Sequence, residues 1–298
     1  MLQHADMPTL LRVRATCRDN LTATAKELHR YLHELLAPLV PDVDAFLVTL
    51  QANRAFVGGS VAMAFMLRDG SIIPRNLDIF VGLPRGQPML HYLLTRQAAV
   101  DVTVKPATEA QQKALVKRLR ARGESQFYCT QTPRATIHLH VSLHDAALLP
   151  VTCAWGTPGI CYVGPQHFGT PYPSLFFARR GIVASSSTDA TPALQGALAR
   201  CFDIRMFPTQ WPDQDDGVCG SSTGVCPMQA RRLDDQWALC AQFQPLEARP
   251  LSPKIIWRLD GRPCGGQCWK DFETVLRYAF KWRILEPRPR HIEAGLRP

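Results

Sequence analysis

The chain of 298 residues is 46% hydrophobic, which suits one extended domain or two closely packed ones and excludes a disordered or fibrous protein. Its formal net charge of +9 favours phosphate-rich partners, while the absence of a long apolar run or a charged-then-apolar start excludes a membrane span and predicts an intracellular protein, cytoplasmic or nuclear. With no secretory signal, the ten cysteines point to reduced thiols or metal ligands before a disulfide scaffold.

Residues 1–54 read as helical. Leu21, Ala25, Leu28, Leu32 and Leu35 recur at helical spacing, Pro38 and Pro41 stop that helix, and a second one is expected from 42 to 50. His29 and His33 stand one turn apart without the glutamate of a metalloprotease motif, so they belong to an amphipathic face.

A short strand near Phe56 then delivers the chain to Gly58-Gly59-Ser60. Two glycines let backbone amides approach an anion, and Ser60 is expected to cap a helix running through Val61, Ala62, Phe65 and Met66, ended by Arg68-Asp69-Gly70. In Asn76-Leu77-Asp78-Ile79-Phe80-Val81 the period of two puts Asn76 and Asp78 on one face and Leu77 and Ile79 in the core.

Helices are expected over 88–97 and 108–122, and strands over 100–104, 127–130 and 137–141. This alternation predicts an α/β or α+β layered arrangement around a mixed sheet. Lys113, Lys117, Arg118, Arg120 and Arg122 form the solvated side of a helix whose Ala114, Leu115 and Leu119 face inward; nucleic-acid binding is the secondary reading. Further basic groups lie at Arg179-Arg180 and at Arg283, Arg288 and Arg290. In 135–144 Ile137, Leu139, Val141 and Leu143 alternate with His138, His140, Ser142 and His144. Those histidines are either ligands suited to zinc and other transition metals or simply a solvated polar face.

Glycine and proline mark 156–173 as a loop, and 174–182 reads as a helix closed by Arg179, Arg180 and Gly181, where the arginines meet phosphate or compensate the helix dipole. A Ser/Thr-rich surface loop follows at 185–191, and a boundary near Phe207-Pro208 opens a cysteine-rich tail. Cys219 and Cys226, then Cys264 and Cys268, can each supply half of a structural zinc site, with Cys240 a competing ligand. Trp237, Trp257, Trp269 and Trp282 form the tail's apolar centre, and Cys17, Cys129, Cys153, Cys161 and Cys201 are read as small core residues.

The pairing of Gly58-Gly59-Ser60 with Asn76-Leu77-Asp78 resembles the nucleotidyltransferase fold of the polymerase-β type. The resemblance implies a mixed sheet flanked by helices, a nucleoside triphosphate held by Gly58, Gly59 and Ser60, and Mg²⁺ held at a catalytic pair, Asp78 and Asn76. Asn76 stands where that family has its first carboxylate, and His138 and His140 stand where its third acid is expected. Residues 8–19 resemble the latter part of an F-box, which implies a Skp1-type adaptor as partner; with 174–183 added, the order is similar to that of a set of fungal proteins joining an F-box-like start to a nucleotidyltransferase-like core. The expected organisation is a helical segment at 1–54, that core at 55–207, and a Cys/Trp-rich region at 208–298 packed on it. With two of three carboxylates missing, the expected function is a degenerate member acting as a nucleotide-binding interaction scaffold; the alternative is an active metal-dependent nucleotidyltransferase with an unknown acceptor.

Overall fold

The structure, a computed structural model, describes residues 2–184, 191–214, 224–244, 254–260 and 282–285. It opens on three helices, α1 (Met7–Arg14), α2 (Arg18–Leu36) and α3 (Val43–Ala52). Asp6 caps α1 by accepting from the Thr9 amide at 2.8 Å, and Asp42 caps α3 through Ala45 at 2.9 Å, so each start is fixed by a local side chain. Leu28, Leu32 and Leu36 form the buried stripe of α2, while Lys26, His33 and Glu34 face solvent. Arg134 reaches back to the carbonyls of Ala37 and Val40 at 2.7 and 3.1 Å, satisfying acceptors that the end of α2 leaves open.

The chain continues through β1 (Phe56–Val57), α4 (Gly59–Leu67), β2 (Asn76–Val81), α5 (Gly86–Arg96), β3 (Val100–Asp101), α6 (Glu109–Ala121), β4 (Glu124–Gln131) and β5 (Thr136–Ser142). Then come α7 (Leu149–Thr152), β6 (Tyr162–Val163), β7 (His167–Thr170), α8 (Pro173–Phe177), β8 (Arg180–Ile182), α9 (Thr191–Ala199) and β9 (Asp203–Arg205). β10 (Leu239–Gln242), β11 (Lys254–Trp257) and β12 (Trp282–Leu285) complete the order. Eight strands form one mixed sheet in the order β10-β7-β6-β1-β2-β5-β4-β3. Among the described residues its only parallel pair is β2 with β5, at the centre; β8 pairs with β9, and β11 with β12, in separate ribbons. The expected α/β class, mixed sheet, flanking helices and helical start are all present.

Burial explains why the centre is fixed. α4 is apolar on every side and every residue from Val61 to Leu67 is buried, so it must lie between the sheet and another layer, which α2 supplies. Leu77, Ile79 and Val81 of β2 and Ile137, Leu139 and Val141 of β5 are fully buried on that side. Phe65 of α4 meets Phe168 edge-on and Phe243 at 5.8 Å, and Phe243 also stacks on His29 of α2 at 4.2 Å. The N-terminal helices, the sheet and the strand leading to Phe243 therefore share one apolar core.

Several local expectations change. The stretch 156–173 contributes β6 and β7 to the main sheet; these strands are too short, and too completely buried, to show alternation. Residues 174–182 do not form one helix: α8 ends at Phe177, Arg179 takes a positive φ of 52°, and Arg180 begins β8. Arg179 pairs with Asp69 and Ser71, and Arg180 pairs with Asp213 while lying over Trp211. Only Leu119 is buried on α6; Ala114 faces solvent, as do Lys113, Lys117, Arg118 and Arg120. Cys17 and Cys201 are exposed instead of buried. No helix among the described residues is long and apolar enough to cross a membrane.

Candidate functional site

The parallel register of β2 and β5 sets Asp78 opposite His138 and Phe80 opposite His140, so Asn76, Asp78, Phe80, His138 and His140 lie on one face of the sheet. The reverse face is the buried core, which fixes the register, because a one-residue slip would put Asp78 inside and Leu77 outside. His138 Nδ1 donates to Asp78 Oδ1 at 2.9 Å, and His140 Nε2 stands 3.6 Å from the same oxygen. Phe80 stacks on the His140 ring at 4.5 Å and 12°, and Phe127 covers both imidazoles, with centroids 5.6 and 5.2 Å away. The ligand atoms of Asp78, His138 and His140 lie within 4.8 Å of one another, a grouping that one cation can bridge.

Glu124 is the residue that sequence reasoning missed. The Glu124 side chain is only 4% exposed, and its Oε1 accepts from His140 Nδ1 at 2.9 Å. Strict alternation along β4 places Glu124 on the opposite face from Phe127. A bulge between Glu124 and Gln126 shifts the phase and sets Glu124 across from Ser142, on the histidine face. The available signal was an acid directly after Gly123, at the head of an otherwise neutral strand.

Electrostatics follow from this packing. Burial alone would raise the Asp78 carboxyl, but the imidazoles of His138 and His140 outweigh it and hold the group far below the usual carboxylate range. Burial likewise disfavours a charged His140, yet the Asp78 and Glu124 carboxylates on either side raise its pKa to about 9. The centre thus favours a positive charge on or beside His140. Solvent reaches it past His138, whose side chain is 30% exposed, against 17% for Asp78 and 14% for His140.

The turn lies directly against this cluster. The Gly58 amide donates to the Asp78 carbonyl at 2.9 Å, and a methyl group at Gly58 would overlap the Phe80 ring. Gly59 has φ +58°, and a side chain there would overlap Asp78 Oδ2. Both glycines are thus required by the side chains of β2, and Gly59 by its backbone conformation as well. Gly58 itself is the N-cap of α4, not Ser60 as expected; the Ser60 hydroxyl is buried without a hydrogen-bond partner.

Asn76 meets Asp78 with its amide nitrogen, at 3.2 and 3.1 Å from the two carboxylate oxygens, and so serves as a donor to Asp78. The set of one carboxylate, one amide donor and two imidazoles does not fit Mg²⁺, which needs several oxygen ligands. Asp101 is exposed on edge strand β3, separated from β2 by β4 and β5, and takes no part in the cluster. Of the tail residues, Cys226 is buried, whereas Cys219, Cys264, Cys268, Trp269, Arg288 and Arg290 lie outside the described residues. Cys240 sits in β10 with its sulfur 3.4 Å from the Tyr162 hydroxyl. Compared with protein-family models, curated proteins and solved structures, the chain matches none of them.

Proposed function

We propose that the chain is a degenerate nucleotidyltransferase-like protein that keeps a nucleotide-binding turn and acts as an interaction scaffold without transferring nucleotidyl groups. The observation that carries this reading is the company of Asp78: its partners among the described residues are His138, His140 and the amide of Asn76, and the nearby Glu124 carboxylate is turned onto the far nitrogen of His140 instead of toward a shared Mg²⁺. Nucleotidyl transfer depends on positioning and on neutralising phosphate charge with metal, so that loss removes the main source of rate.

Two features support nucleotide binding at Gly58, Gly59 and Ser60. The N-terminus of α4 has no side-chain cap, and Ser60 keeps a buried hydroxyl with no partner. For a Skp1-type adaptor, the face offered by the F-box-like segment is the exposed side of Thr9, Arg12 and Thr16, since Met7 and Leu10 are consumed in the core. Pull-down with such an adaptor tests that part. A structural zinc at Cys219, Cys226, Cys264 and Cys268 is a separate proposal, removed if metal analysis of reduced, chelator-free protein finds none.

Catalysis is tested by Mg²⁺- or Mn²⁺-dependent labelling from radiolabelled nucleotides, with Asp78→Ala as control. No incorporation is expected; incorporation by wild type that disappears in the variant overturns the reading. Calorimetry with ATP, CTP, GTP and UTP tests the turn, and absence of binding to all four, with and without metal, removes the nucleotide-binding part.

A further inference from the structure

The histidine face carries a ligand set that a hard cation does not suit and a borderline one does. We propose that Asp78, His138 and His140 form a three-ligand site for a divalent transition metal of the zinc class, with Glu124 as the outer carboxylate that orients His140. The proposal rests on the reading above, in which the acid site of the fold has been converted to imidazole, and it names the ligand that the converted site takes.

Zinc bonds to nitrogen and oxygen of about 2.0–2.1 Å in a tetrahedral arrangement put neighbouring ligand atoms about 3.3 Å apart. Around the shared oxygen Asp78 Oδ1, His138 Nδ1 stands at 2.9 Å and His140 Nε2 at 3.6 Å, on either side of that spacing. The longer distance exceeds hydrogen-bond length, so His140 is not drawn fully onto Asp78. It is held from behind instead. Glu124 occupies Nδ1, which leaves Nε2 as the atom turned toward Asp78, and the Phe80 ring stacks on the imidazole plane. A carboxylate on the far nitrogen of a ligating histidine is the usual way a protein sets its tautomer and orientation.

Chemistry selects the cation. Two imidazole nitrogens and one carboxylate oxygen suit zinc and its first-row neighbours, and give Mg²⁺ a single anionic oxygen. All three ligands come from adjacent strands whose register is locked by the core, so the site is formed before metal arrives. Three protein ligands leave a coordination position for water or an oxyanion, reached from solvent on the His138 side.

The full chain, stripped of metal under reducing conditions, is titrated with Co²⁺ and then Zn²⁺ in the absence of nucleotide. Co²⁺ should give visible ligand-field bands without added thiolate charge-transfer absorption; Zn²⁺ should abolish them and excess Mg²⁺ should not. His138→Gln, at the most exposed ligand, should remove the bands, whereas Cys226→Ser should keep them. Glu124→Gln should weaken affinity about ten- to a hundredfold. Imidazole resonances of the wild type, followed by nitrogen-edited NMR during Zn²⁺ titration, should move at two histidines without recourse to any variant. Absence of the bands in folded wild-type protein, or their persistence in folded His138→Gln, overturns the proposal. Because nucleotide is left out, either result leaves the nucleotide-binding reading standing.

Discussion

The carboxylate of Asp78 occupies the space that a side chain at Gly59 would need, so the turn and the acidic strand fit each other as a lock of two residues. Gly59→Ala meets both a positive φ of 58° and that carboxylate, and the strain alone should cost about 1–3 kcal/mol. Thermal unfolding checks this. Adding Asp78→Ala should recover the steric share of the loss, giving clear non-additivity in the double mutant; additive losses would show that the two positions do not compete for space.

Ser60→Ala separates a structural hydroxyl from a ligand-facing one. The Ser60 oxygen is buried and unpartnered, so its removal should leave the melting temperature unchanged or raise it slightly. Nucleotide affinity should nevertheless fall by about 1 kcal/mol, roughly fivefold, if that hydroxyl hydrogen-bonds phosphate. Paired calorimetry and thermal melts read both quantities. Unchanged affinity would detach Ser60 from the proposed turn.

Glu27 joins α2 to the end of α4. Its carboxylate meets Arg30 at 2.7 Å and the buried Arg68 at 2.6 Å, and Arg68 lies over the Tyr31 ring. The bonds from Arg30, opposed by burial and reinforced by Arg68, lower the Glu27 pKa from the ordinary 4.5. A lowered carboxylate contributes stability that is complete above its unfolded value and is lost as pH falls through the folded one. Glu27→Gln should cost about 3 kcal/mol near neutral pH by leaving Arg68 uncompensated, and should flatten the loss of stability below about pH 4.5. Urea unfolding across that acid range provides the measurement.

Phe243 fastens the end of β10 to the N-terminal core through His29, Phe65 and Phe168. Phe243→Ala should cost about 3–5 kcal/mol. Limited proteolysis should then cut the chain after β7 faster than in wild type, and an unchanged pattern would mean that β10 is held by its strand pairing alone.

Elements whose signals are local could be read from the order of residues. The leucine stripe of α2, the apolar run of α4 and the alternation of β2 and β5 all report on neighbours a few residues away, where periodicity acts. The same order put Asp78 on the face away from the core, and His138 and His140 on one face of their own strand. The strands β6 and β7 escaped because two to four wholly buried residues carry no period. That β5 lies parallel beside β2, bringing His138 to Asp78, follows from long-range pairing that no local pattern encodes. The bulge in β4 then turned Glu124 onto His140. Neither relationship is a property of a single strand: register depends on which faces the whole core buries, and a bulge resets the alternation on which a sequence reading relies.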